Sequence, residues 1–228
     1  MKGQLNKPCL PARRLLPALL AGAALFGATA VSAATYTFQQ ITNNGNTSVA
    51  AQLSLVTSAF SATQTLFQIV NAGPVASSVD GVYFDWTSPT PALTPMSFLS
   101  DTGVAFTGSS GGNLPGGNTV TPLAFTSDYV FDADNPRPTN GINAGEFARF
   151  VGTGTQSAVE AALNAGLLRV GLHVQAIDPL GGLGGSESFV NPNGGGGPPA
   201  AVPVPAAVWL FGSALAGFMT LSNRRKLS

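Results

Sequence analysis

Apolar and polar residues alternate along several short stretches of this chain, a pattern that suits β-strands and not helices. The clearest stretch is Leu168–Ile177, which reads LRVGLHVQAI. Successive side chains of a strand point to opposite faces, so this stretch is predicted to bury one face in a core and to turn the other outward. The core-facing residues are Leu168, Val170, Leu172 and Val174, and the outward ones are Arg169, Gly171, His173 and Gln175.

Similar stretches recur from Thr35 onward, separated by turns rich in Gly, Pro and Asn. One segment differs: Ser157–Ala165 is predicted to be a helix, which Thr155 or Ser157 can cap and Gly166 can end. Many short strands with one short helix predict an all-β fold, a single jelly-roll-like β-sandwich over residues 34–190. The other predicted strands are 35–41, 49–56, 63–70, 79–87, 125–131, 146–151 and 187–190. Loops are predicted at 133–145 and 108–117, and the loop 108–117 has no side chain large enough to pack. Residues 191–201 (NPNGGGGPPAA) are predicted to be a linker.

The N-terminus has the layout of an export signal over residues 1–33. Lys2, Lys7, Arg13 and Arg14 make a positive region, and an apolar stretch runs from residue 15 to residue 30. Small residues then provide a cleavage site. The predicted cut lies between Ala33 and Ala34, and a cut after Ala34 fits nearly as well.

The C-terminus, residues 202–228, combines a Pro-x-Pro element, an apolar stretch and a basic end. Prolines prevent a helical start, and no charged residue lies between Ala206 and Ser222. As a helix, 202–222 would span about 31 Å, roughly a bilayer core, so a transmembrane helix is predicted at about 206–222. Arg224, Arg225 and Lys226 would stop it on the cytoplasmic side.

This tail resembles the PEP-CTERM sorting signal of exopolysaccharide-producing Gram-negative bacteria. The resemblance rests on Val202, Pro203, Val204, Pro205 and Ala206, a variant with a second proline where the name-giving form has Glu-Pro. It implies processing by an exosortase, a membrane transpeptidase, at a bond that the variant motif leaves open. An ordinary uncleaved anchor is the alternative. The stretches GLHVQAI and GGSESFV are also similar to an uncharacterised group of exported proteins with this tail.

The charge of the body excludes some partners. Between residues 34 and 201 three arginines face ten acidic residues, a formal net charge of −7, and there is no lysine. Such a surface argues against binding to nucleic acid or to anionic lipid headgroups. Cys9 is removed with the signal peptide, so the body has no thiol or disulfide chemistry.

The candidate catalytic residues carry weak signals. His173 is the chain's one histidine, so a Ser-His-Asp site would have to use it, and Ser186 lacks the nucleophile-elbow motif. A polar residue on a solvated strand face is the simpler interpretation. A carboxylate pair for polysaccharide hydrolysis could draw on Glu146, Glu160 or Glu187, although nothing local selects a pair. The body is therefore predicted to have no catalytic residues.

Asp128, Asp132 and Asp134 form the densest group of oxygen ligands, with Asn135 and Glu146 near them in sequence. Calcium prefers such ligands, but the spacing departs from the EF-hand pattern. A solvated acidic loop is the default, and no cofactor is predicted, with calcium as the open alternative. Asp80 and Asp85 are interpreted as the polar edge of a strand.

Three aromatic residues, Trp86, Tyr83 and Tyr129, could stack on a sugar, although alternation places Trp86 in the core first. Together these features predict an exported protein of the cell surface or exopolysaccharide matrix, held at the inner membrane before sorting. Its body would be a non-catalytic structural or carbohydrate-interacting module. The expected partners are the secretion machinery and signal peptidase, an exosortase, the membrane and exopolysaccharide. A secreted polysaccharide hydrolase and a plain anchored periplasmic protein are the alternatives.

Overall fold

The computed structural model describes residues 33–87, 92–177 and 184–192. These residues form strands and one α-helix, arranged as two antiparallel sheets. The strands are β1 (Ala34–Thr37), β2 (Gln39–Gln40), β3 (Leu53–Ser61), β4 (Gln64–Asn71), β5 (Ser78–Trp86), β6 (Ser97–Leu99), β7 (Phe106–Ser110), β8 (Tyr129–Ala133), β9 (Ile142–Asn143), β10 (Glu146–Thr153), β11 (Leu168–Ile177) and β12 (Gly185–Val190), and the helix is α1 (Gln156–Asn164).

The two sheets have different sizes and share one core. The five-stranded sheet has the order β1-β3-β4-β10-β6, and the seven-stranded sheet has the order β2-β12-β11-β5-β8-β7 with β9 beside β5. Phe67 and Phe150 of the first sheet pack against Phe84 and Phe131 of the second, with ring centroids 5.3 Å apart for Phe67–Phe84 and 4.6 Å apart for Phe131–Phe150. Burying each ring stabilises the fold by about 1.5–3 kcal/mol. The predicted all-β fold, two sheets with one helix, is confirmed at this level.

The helix begins and ends as the sequence predicts, to within a residue. The Thr155 hydroxyl accepts a hydrogen bond from the Ala158 amide at 3.3 Å, so Thr155 rather than Ser157 is the cap. Gly166 follows with a φ of +70°, the left-handed conformation that glycine adopts without strain. The buried face of α1 carries Val159, Ala162 and Leu163.

The first predicted strand, 35–41, is divided between the two sheets. β1 pairs with β3 in the five-stranded sheet, and β2 pairs with β12 in the seven-stranded sheet. Phe38 lies between them and is buried in the core that both sheets share. Alternation continues through this crossing, so the sequence pattern alone did not reveal it.

Residues 111–127, in the connection between β7 and β8, correct the prediction for the loop 108–117 and the predicted strand 125–131, which begins only at Tyr129. Leu114 and Phe125 are buried and form a second apolar cluster with Tyr83, Val130 and Val190 on the outer face of the seven-stranded sheet. The prediction that 108–117 has no side chain able to pack is therefore wrong at Leu114.

Residues of the seven-stranded sheet that were predicted to face solvent are also buried. Arg169 is 2% exposed, and Asp80 and Asp85 are buried as well, so these two aspartates do not mark a solvated edge. Strand alternation reports which face a side chain lies on. It does not report whether another segment covers that face.

Several predictions lie outside the described residues: the signal peptide before Ala33, the linker from residue 193 and the whole tail at 202–228. Ala33 is described, and Ala34 is the first residue of β1, where it is buried and pairs with Thr57. Over the ranges that the structure covers, no helix is long and apolar enough to cross a bilayer.

Candidate functional site: an exposed aromatic surface on the five-stranded sheet

Phe147 is a large aromatic side chain that the fold leaves open to solvent. It lies in β10, where Ala148 and Phe150 face the core, so alternation turns Phe147 and Arg149 outward. Its exposure is 43%, although β10 is paired on both sides, with β4 and with β6. A single exposed ring is ordinary on a protein surface, so the side chains around Phe147 decide whether it belongs to a contact surface.

The strand register places a set of half-buried side chains around this ring. Phe147 lies directly opposite Val70, and Arg149 lies opposite both Gln68 and Leu99. Val56 lies opposite Gln68 on the next strand. Directly opposed residues of antiparallel strands share a face, so these side chains form one surface. The Phe147 surface is defined by Val56, Gln68, Val70, Leu99, Phe147 and Arg149.

Arg149 is oriented by a carboxylate and by the ring. Its Nε donates to Asp101 Oδ1 at 2.9 Å, its Nη2 donates to the same oxygen, and its backbone amide donates to Oδ2 at 3.1 Å. The hydrogen bond and the charge of Asp101 raise the pKa of the Arg149 guanidinium above its ordinary value. The Arg149 Cζ lies 5.8 Å from the Phe147 ring centroid, a cation–π distance.

A cleft of about 290 Å³ opens at the edge of this surface. Phe147 and the carboxylates of Asp101 and Glu146 line it, together with Thr102 and Gly145. Glu146 Oε2 accepts from the Asn143 amide at 2.9 Å and from its side chain at 3.1 Å. An aromatic face covers apolar C–H edges of a sugar ring, while carboxylate and amide oxygens accept hydrogen bonds from hydroxyls. This combination suits carbohydrate binding.

The pairing of Asp101 does not favour a role for this carboxylate in turnover. Both oxygens of Asp101 accept hydrogen bonds from Arg149, and Glu146 is held by Asn143. A hydrolase needs one carboxyl group that can donate a proton to the leaving oxygen. Asp101, whose two oxygens accept from the Arg149 Nε at 2.9 Å and 3.2 Å, is poorly suited to that role.

Two other clefts have weaker claims. One of about 410 Å³ is lined by Gln39, Ile41, Val190 and neighbours from 119–122 and 191–192, with no charged or aromatic residue in its wall. Another, of about 310 Å³, includes Trp86, Asp85 and Arg169. There the Arg169 guanidinium already donates to the Leu123 and Ala124 carbonyls and to Asp85, so it holds the connection 111–127 in place.

Each of the three aspartates proposed for calcium interacts with a different part of the chain. Asp128 Oδ2 accepts from the Trp86 amide at 2.8 Å, Asp134 Oδ1 accepts from the Thr107 hydroxyl at 2.8 Å, and Asp132 lies 3.7 Å from Arg137. Within the part of the chain that the structure describes, no three His, Cys, Asp or Glu residues gather as a metal site. The calcium alternative remains an untested prediction.

His173 has neighbours that resemble a catalytic triad in kind. Its Nδ1 lies 2.9 Å from Asp80 Oδ1 on one adjacent strand, and Ser188 lies directly opposite it on the other. The Ser188 hydroxyl is buried and makes no hydrogen bond in the described residues, and Ser188 has no exposed surface. A nucleophile must be reached by a substrate carbonyl. Asp80, His173 and Ser188 therefore have the residue types of a catalytic triad, but a substrate cannot reach the buried Ser188 hydroxyl. Ser186 is not part of it; its carbonyl accepts from the Asn44 side chain.

The remaining candidates have structural partners. The Glu160 carboxylate accepts from Thr57 and Gln156, and Glu187 accepts from Thr42, Asn44 and Asn46, so the glutamates bind different parts of the chain.

Among the candidate aromatics, none matches the exposure of Phe147. Trp86 and Tyr129 pack against the main core, and Tyr83 belongs to the second cluster. Burial, and then the nearby Asp132 and Asp80, raise the pKa of Tyr83 to about 12. Sequence reasoning missed Phe147, although the stretch EFARFV places it on the same strand face as Arg149.

Comparison with known proteins gives no family. No family model matches the chain, and no curated protein matches it. A solved structure from work on pH-induced modulation of Streptococcus parasanguinis adhesion by Fap1 fimbriae is similar over 76% of this chain and 92% of that one, with 12% identity and a TM-score of 0.33. A likeness this weak says nothing about what the present chain does.

Proposed function

We propose that this chain is an exported protein of the cell surface or exopolysaccharide matrix, and that its jelly-roll-like body is a non-catalytic module that contacts polysaccharide. An N-terminal signal peptide directs export, and an exosortase processes the tail after a stage anchored in the inner membrane. The apolar ends with basic flanks support the location. The observation that carries the binding function is the exposed Phe147 ring beside the cleft of Asp101 and Glu146.

Phe147→Ala should weaken polysaccharide binding by about tenfold or more, because burying a phenylalanine ring contributes about 1.5–3 kcal/mol. The measurement is the retardation of the full chain, extracted in mild detergent, in native gels cast with a series of polysaccharides. The matched control is Phe60→Ala, since Phe60 is 50% exposed on the same sheet but lies at the far end of β3 from this cleft's residues. Thermal unfolding of both variants checks that the fold is intact.

Equal loss in the two variants would show that binding does not use the Phe147 surface. If the wild-type protein is retarded by no polysaccharide, the module does not have the proposed function. Release of reducing sugars during the same incubations would instead favour the hydrolase alternative.

A further inference from the structure

The body of this protein has no lysine, and each of its three arginines is already paired with a carboxylate. Arg169 binds Asp85 in a buried pair, and Arg149 binds Asp101 through hydrogen bonds from its side chain and its backbone. Arg137 lies 3.7 Å from Asp132 with about 40% of each side chain exposed. His173, if protonated, faces Asp80 at 2.9 Å. Across the described residues from 34 onward, no cation is left to neutralise an anionic polymer.

Within the Phe147 surface, the positive charge is likewise neutralised by a carboxylate. Its one arginine is compensated by Asp101, whose side chain is 6% exposed, and Glu146 adds a second carboxylate to the cleft. A uronate carboxyl group placed over the Phe147 ring would therefore meet a neutralised guanidinium and an additional negative charge. The Glu146 carboxylate would repel the uronate carboxylate, and the net charge of −7 over residues 34–201 adds to this repulsion at low salt.

Neutral sugars carry no charge that these carboxylates would repel. A pyranose ring offers an apolar C–H face to Phe147 and hydroxyl donors to the oxygens of Glu146 and Gln68. We infer that the Phe147 surface binds neutral, hydroxyl-rich polysaccharide and excludes polyuronates, and that Asp101 sets this selectivity by neutralising Arg149. The inference rests on the proposed function and adds the chemical class of the ligand.

The first test compares polymers with the wild-type full chain in the presence of EDTA, which removes any calcium that could bridge two carboxylates. Native gels contain galactomannan, a neutral β-glucan or polygalacturonate. The expected result is retardation by at least one neutral polymer, persisting at about 1 M NaCl where the Debye length is about 3 Å, and none by polygalacturonate. Retardation by polygalacturonate equal to that by the neutral polymers would overturn the inference while leaving polysaccharide binding in place.

The second test is a gain of binding. Asp101→Asn removes the carboxylate that neutralises Arg149, so this variant should be retarded by polygalacturonate at low salt, at least fivefold more strongly than wild type, and should lose this at about 1 M NaCl. Asp132→Asn makes the same change of charge beside Arg137 on the seven-stranded sheet and should show no gain. Glu146→Gln leaves the Arg149 pair intact and should also raise polygalacturonate binding, which keeps the test valid if Asp101→Asn unfolds.

An equal gain in Asp132→Asn would show that net charge, and not this surface, determines the selectivity. If Asp101→Asn and Glu146→Gln both fold and neither binds polygalacturonate more strongly than wild type, the inference is also overturned. If the wild-type protein binds none of the polymers, the proposed function itself fails, a different outcome from loss of selectivity alone.

Discussion

Single carboxylates in this protein are used mainly to hold chain segments together, and Glu187 is the best example. Its side chain is buried at the edge of the seven-stranded sheet and accepts from the Thr42 hydroxyl at 2.6 Å, the Asn44 amide at 2.6 Å and the Asn46 side chain at 2.9 Å. These donors join the segment between β2 and β3 to β12. Burial alone would raise the pKa of Glu187, but the hydrogen bonds from Thr42, Asn46 and Asn44 outweigh it and hold the pKa below its ordinary value of 4.5.

Glu187→Gln should therefore reduce stability in a pH-dependent way. A lowered folded-state pKa favours the ionised form, so its contribution is present above about pH 4.5 and is lost as the pH falls through the folded value. Near pH 7 the variant should be less stable by roughly 1.5–3 kcal/mol, the range for hydrogen bonds to charged groups. The difference should shrink as the pH falls below about 4.5, where wild-type Glu187 becomes protonated.

Urea unfolding of both proteins across this pH range measures the difference directly. Thr42→Val, which removes one donor to Glu187, should reduce the pH dependence without abolishing it. A stability difference that stays constant with pH would show that the charge of Glu187 is not what holds the segment.

At the level of elements, the connection 111–127 needs a specific gap in the strand beneath it. Gly171 of β11 lies under this connection, and a Cβ built there would be 2.6 Å from Leu114 Cδ2 and 3.0 Å from Phe125 Cζ. Leu114 itself is 2% exposed. A glycine inside a strand often marks such a close approach, and here it allows the connection to seal one face of the seven-stranded sheet.

Gly171→Ala should destabilise the protein by about 1–3 kcal/mol through overpacking, and Leu114→Ala by about 2–5 kcal/mol through the cavity it leaves. The double variant should be less destabilised than the sum of the two, because the new methyl group occupies space that Leu114 vacates. Free energies of unfolding from denaturant titrations complete the cycle. Additive effects would mean that Leu114 and Gly171 do not pack as described.

For the molecule as a whole, an acidic, thiol-free body lies between two apolar ends that carry most of the chain's basic residues. The body has no disulfide and depends on its core of interlocking phenylalanines, in which Phe84 contacts rings of both sheets. In the proposed function, the two ends determine where the protein is located, and the body contacts the matrix.

Replacing Pro203 and Pro205 together by Ala should leave export intact and block processing of the tail, because the Pro-x-Pro element is what a sorting enzyme would read and a simple anchor would not need. Mass spectrometry of the mature C-terminus measures this. Pro198→Ala with Pro199→Ala makes the same change in the linker and should leave processing unchanged. An intact C-terminus on the mature wild-type protein would favour the plain anchor instead.

Local pattern predicted β3, β4, β5, β10, β11, β12 and the helix with its ends, because strand alternation and helix capping depend on residues only a few positions apart. The stretch around Leu168–Ile177 and the Thr155 cap illustrate this. The charge, the absence of cysteine from the body and the two apolar ends are likewise properties of composition and order. Local pattern did not predict β6, β7 or β9, which are two to five residues long, and it began β8 at residue 125 where the structure begins it at Tyr129.

The environment of each outward-facing side chain was decided by tertiary structure. Arg169, Gly171 and Phe147 all lie on outward faces of strands, yet a distant segment covers the first two and leaves the third in water. Asp101 reaches Arg149 across 48 positions, and Asp80 reaches His173 across a strand pair. Such contacts depend on which segments the folded chain brings together, and a pattern with a period of two residues holds no information about that.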